Sequence, residues 1–121
     1  MAEPAEITRC SLVEEINALT PRDDYSGRRA KILIKEDDLR VTLVTMRAEA
    51  ELDEHSAPAS VNIHVLTGTF DVSYEGGPAT LDVGDMLALR KDALHSVRCV
   101  DDGAFLLTLG WSADQKERDR S

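Results

Sequence analysis

The sequence predicts an all-β sandwich or barrel with one short helix ahead of it. Three observations carry that expectation. From residue 29 onward, apolar residues recur at every second position, the period of a half-buried strand. Eight such segments (30–35, 41–46, 61–67, 69–74, 79–83, 86–89, 95–100 and 104–109) follow one another at near-regular spacing, the rhythm of a sandwich or barrel. Turn residues punctuate them: Thr67-Gly68, Glu75-Gly76-Gly77-Pro78, Gly84-Asp85 and Asp101-Asp102-Gly103.

The helix precedes the strands. Ser11 followed by Glu14 has capping-box spacing. Leu12, Ile16 and Leu19 fall on one helical face with Val13 beside them, and Pro21 ends the run. So short a helix is marginal alone and should dock on the domain. At the other end, residues 113–121 are almost wholly charged and have no face to bury, so a frayed tail is expected. The expected organisation is therefore an arm with a short helix (1–28), a barrel (29–112) and a charged tail (113–121).

Composition narrows the function. The 121 residues include 42% hydrophobic residues, enough for a packed core without disulfides. Lys plus Arg number 14 against 23 Asp plus Glu, a net charge of −9. Nucleic-acid binding needs clustered cations and an anionic membrane surface attracts them, so neither partner is expected. No apolar run is long enough to span a membrane. The first residues are acidic, where a signal peptide is basic and then apolar. A cytoplasmic protein is expected, with Cys10 and Cys99 as reduced thiols.

Residues 52–68 and 84–99 carry a family resemblance. They resemble the two cupin motifs, G-x5-H-x-H-x3–4-E-x6-G and G-x5-P-x-G-x2-H-x3-N. His55 takes the first histidine position and Gly68 closes the first motif; Gly84 and His95 fall in register in the second. The departures are equally plain. Ala57 stands where the second histidine belongs and Val61 where the glutamate belongs. Arg90, Asp92 and Cys99 replace the proline, glycine and asparagine. The resemblance implies a double-stranded β-helix, or jelly-roll, barrel of the small single-domain kind, with a homodimer as partner state. Of the four metal ligands usual in cupins, it leaves His55 and His95.

The resemblance and strand parity together predict a lumen lined by His55, Ala57, Val61, Ile63, Val65, His95 and Val97. His64 has the opposite parity and should point outward unless a bulge re-aims it; it is the less favoured third metal ligand. Cys99 shares parity with His95 but lies about 13 Å along the strand, too far for one metal. Asp53 orients His55 only if the chain bends. Arg90 sits in the turn before His95, where it could meet a carboxylate at the pocket mouth; Arg40 and Arg47 read as solvated strand ends. An apolar pocket with two convergent polar groups matches a small-molecule site. Binding of a small molecule in the lumen is the first expectation. The alternative is a dioxygenase- or isomerase-type enzyme using a divalent metal (Zn, Ni, Fe, Mn or Cu) on His55 and His95. A third is an accessory dimer with no ligand.

Overall fold

The computed structural model describes residues 7–21 and 26–110. The elements are α1 (Leu12–Ala18), β1 (Arg28–Lys35), β2 (Leu39–Met46), β3 (Glu51–His55), β4 (Ser60–Tyr74), β5 (Ala79–Leu81), β6 (Met86–Leu89) and β7 (His95–Gly110). All strand pairs are antiparallel. Trp111 and the charged tail lie outside the described residues.

Two expected turns are absent. The segments expected at 61–67 and 69–74 form the single strand β4, and those at 95–100 and 104–109 form β7. At Thr67-Gly68 and Asp101-Asp102-Gly103 the strands fold over together without losing each other as partners. The register of β4 on β7 slips between Val65 and Phe70 at this crossing. Glycine makes the fold-over possible, because Gly68 has φ +79° and packs directly against the backbone of residues 101–103.

The fold-over divides the pairing into two layers. One contains β1, β2, the second half of β7, the first half of β4, and β6. The other contains β3, the first half of β7, the second half of β4, and β5. Val44, Met46, Val61, Ile63, Val65 and Phe105 from the first layer pack with Phe70, Val72, Leu81, Val97 and Cys99 from the second. Phe70 and Phe105 meet across the layers edge to face, with centroids 5.0 Å apart. The sandwich is open along one side, where a cleft of about 310 Å³ lies among Arg28, Ala30, Val44 and Leu52. There the Arg28 guanidinium donates to the Glu51 carbonyl at 2.9 Å.

The outer face of the first layer is apolar too. Leu43 and Ala104 are buried there beneath Leu19, with Ile16, Leu33, Leu66 and Leu106 around them. This cluster docks α1, whose Ser11 hydroxyl accepts from the Glu14 amide at 3.3 Å as the capping spacing predicts. A Lys31–Glu15 pair at 2.7 Å bridges the helix to β1. It is partly exposed and adds less than about 1 kcal/mol.

Candidate ligand site at the histidine end

The site begins with an irregularity in β3. Leu52 faces Val97 and His55 faces His95, so three steps on β3 match two on β7. This bulge is the bend that strict parity lacked, and it seats His55 directly beside His95. Tyr74 pairs with His95 from the other side. The two imidazole centroids are 4.3 Å apart, with planes inclined at 58°.

Each ring is held the same way. His55 Nδ1–H donates to the Asp53 carbonyl at 2.7 Å, and His95 Nδ1–H donates to the Ala93 carbonyl at 3.0 Å. A carbonyl only accepts, so Nδ1 carries a proton in both rings, and in the neutral form of each ring Nε2 carries the lone pair. Asp53 does orient His55, but through its backbone rather than its carboxylate. The result is two neighbouring acceptors with their tautomers set by the main chain.

His95 is 3% exposed, whereas His55 is exposed. Burial pushes the His95 imidazole below the ordinary value of 6.5; the Ala93 bond opposes this and the neighbouring His55 adds to it. Below pH 6.5 the unfolded chain then takes up a proton that the folded chain refuses. The stability associated with neutral His95 is complete above pH 6.5 and is lost as pH falls through the lowered value. The unfolding free-energy difference between wild type and His95→Asn should therefore shrink from pH 7.5 to pH 5, read by urea denaturation. A difference unchanged with pH would mean that His95 titrates normally.

The donor set does not fit a resident metal centre. Ala57 is half-buried and Val61 is a core residue, so both vacated ligand positions are apolar. Among the described residues no group of three or more His, Cys, Asp or Glu is placed to hold a metal ion, whereas catalytic zinc sites use three protein ligands. His64, between the buried Ile63 and Val65, faces outward opposite Leu106 and Met86 and does not join the pair. Cys99 is fully buried; burial and then the nearby Asp102 push its thiol up to about 11, and its Sγ donates to the Asp101 carbonyl at 3.0 Å. It is neither thiolate nor ligand.

The expected lumen divides into wall and mouth. Val61, Ile63, Val65 and Val97 are 0–3% exposed and belong to the packed core. The accessible space lies at the end of the barrel. A cleft of about 680 Å³ there is lined by residues of both layers, among them Leu89 from β6 and Tyr74 from β4, with Glu54, Arg90, Asp92 and Leu94 at its rim. The Asp92 amide donates to the Ala57 carbonyl at 2.8 Å, tying the two motif loops together. Asp92 stands at the glycine position of the second motif and has φ +66°, the left-handed conformation that position requires.

Two residues escaped the sequence reading. Tyr74 continues the inward row of Phe70 and Val72, a signal that was present in the alternation. Arg40 is not a solvated strand end. It shares its face of β2 with the core residues Val44 and Met46, and its Nε is shut off from solvent.

Two coiled antiparallel layers with polar side chains gathered at one mouth define a double-stranded β-helix barrel. The chain has the cupin fold. No protein-family model matches the sequence and no curated protein matches it as a relative. Solved structures do. An RmlC-like cupin from Desulfovibrio desulfuricans superposes with a TM-score of 0.73 at 23% identity, over 87% of this chain and 97% of that one. An RmlC-like cupin from Shewanella frigidimarina gives 0.70 at 21%, over 88% and 93%. A conserved protein of unknown function from Streptococcus pyogenes gives 0.71 at 17%, over 92% and 91%. Among the described residues no helix is long and apolar enough to cross a membrane.

Proposed function

We propose that this protein is a small-molecule binding module whose ligand docks at the histidine end of the barrel. The observation that carries this reading is the pair of imidazoles, each held at Nδ1 by a backbone carbonyl and 4.3 Å apart between centroids, next in the chain to Glu54 and Leu94 of the cleft lining. One buried and one exposed imidazole side by side suit a ligand bearing an O–H or N–H donor on an otherwise apolar body. Two imidazoles supply acceptors for such a group; they fall short of the donor set that the metal-dependent enzyme reading needs.

Thermal-shift screening of small alcohols, acids and amides tests the reading, with His55→Ala and His95→Asn beside the wild type. Asparagine keeps a donor near the Nδ1 position and removes Nε2. A ligand at a hundred times its Kd stabilises by about 2.7 kcal/mol. The shift should persist in EDTA and disappear in both variants. A shift that survives both substitutions removes the histidines from the site, and one abolished by EDTA favours the metal reading instead.

A further inference from the structure

The cleft at the histidine end has a charge pattern of its own. Three carboxylates line it, Glu54, Glu75 and Asp92, against one guanidinium, Arg90. The three arrive from separate segments: the end of β3, the turn after β4 and the loop between β6 and β7. Tertiary folding gathers them, and no run of acids in the sequence accounts for the group.

Several carboxylates elsewhere are satisfied within the chain. Glu49 accepts from Arg98 at 2.6 Å, Asp71 from the Thr80 hydroxyl at 2.7 Å and Asp82 from the Thr69 hydroxyl at 3.0 Å. Among the described residues the side chains of Glu54, Glu75 and Asp92 take no hydrogen bond or ion pair, and Arg90 bridges to none of them. Apolar surface lies beside these charges. Leu89 belongs to the core, Leu94 is 57% exposed, and both line the cleft with Tyr74. The Tyr74 ring is held in place by Gly77, where an added Cβ would lie 2.7 Å from the ring Cε1. The negative π-face of such a ring attracts a cation, as the carboxylates do.

We infer that the cleft takes an organic cation: a protonated amine on a small apolar body, with its charge among Glu54, Glu75 and Asp92 and its body on Tyr74 and Leu94. The inference rests on the reading that a ligand docks at this end of the barrel, and it gives the charge of that ligand's N–H donor. Arg90 offsets one carboxylate and leaves an excess of negative charge, which a neutral or anionic ligand would leave uncompensated. Any one exposed ion pair is weak, so the selectivity comes from several carboxylates acting on one charge. The net charge of −9 works in the same direction, because a cleft lined mainly by one sign of charge concentrates its counter-ions.

The test is a calorimetric titration of the full chain with three probes of one shape: cyclohexylmethylamine, cyclohexylmethanol and cyclohexanecarboxylate. At low salt the amine should bind one-to-one, about tenfold or more tightly than the alcohol, with the carboxylate weakest. The advantage should vanish at about 1 M salt, where the Debye length is about 3 Å. It should also vanish in a triple variant, Glu54→Gln, Glu75→Gln and Asp92→Asn, that still binds the alcohol as wild type does. Asparagine suits the left-handed backbone at position 92, so the variant keeps its fold. Tyr74→Leu should weaken the amine about two- to fivefold and leave the alcohol unchanged. Equal binding of amine and alcohol overturns the cationic class and leaves the histidine-end site standing. Amine binding that survives the triple variant, or that never saturates, overturns the carboxylate site. Tightest binding of the carboxylate overturns it in favour of Arg90. Amine binding lost in the triple variant but unchanged in His55→Ala and His95→Asn removes the histidines and keeps the acidic cleft. Binding of none of the three overturns both readings.

Discussion

Gly103→Ala should leave the chain unable to hold its fold. A Cβ at Gly103 is directed into the Thr67 carbonyl and lies 2.7 Å from the Gly68 Cα. Gly68 meets the same crowding in reverse: its added Cβ would sit 2.5 Å from the Asp102 carbonyl oxygen and 2.6 Å from that of Asp101. These are backbone atoms of two paired strands, so neither side has a rotamer to move. Relief requires separating β4 from β7 where both cross between layers, and that pairing holds the sandwich together. The expected loss exceeds about 4 kcal/mol, against a total near 5–15 kcal/mol for a domain. Gly110→Ala is the control, since its nearest atom is 3.9 Å away; it should cost less than about 0.5 kcal/mol. Urea unfolding followed by circular dichroism measures both. A Gly103→Ala protein within 1 kcal/mol of wild type would mean that the fold-over is looser than described.

Phe105→Ala should cost about 3–5 kcal/mol. Phe105 is 1% exposed and sits on the first layer between its cross-strand neighbours Val44 and Val65. Its ring meets Phe70 of the second layer at an interplanar angle of 81°. Truncation removes that contact and opens a void that surrounding strands fill poorly, because both are tied into ladders. Phe105→Leu keeps most of the volume and should recover more than half of the loss. Equilibrium unfolding with an unchanged denaturant slope identifies a loss of native packing. A loss below about 1.5 kcal/mol would assign the layer contact to the surrounding valines instead.

Much of the barrel was legible in local pattern. The strands from 30 to 46, the short strand at 86–89 and the helix follow their periodicity closely. The expected turns at 68 and 101–103 failed for one reason. Glycine marks a place where backbone freedom is needed, and a strand changing layers needs it as much as a turn does. The candidate site was legible as far as its two histidines. What joined them was the bulge in β3, a pairing slip that belongs to two strands far apart in sequence.

Arg40 shows the limit most clearly. Alternation along 41–46 separates two faces, but Val41, Leu43 and Thr45 on one are as suited to burial as Val44 and Met46 on the other. The outer face is buried because the helical segment covers Leu43, so hydrophobicity alone does not tell which side is the interior. By itself the sequence determined the all-β class, the alternation of each strand, the helix cap and the two imidazoles that survive from the motifs, because these depend on neighbours along the chain. Only the tertiary structure decided which face of each strand looks inward and which histidines meet. Those depend on register and on what covers each layer, and both are set by residues distant in the chain.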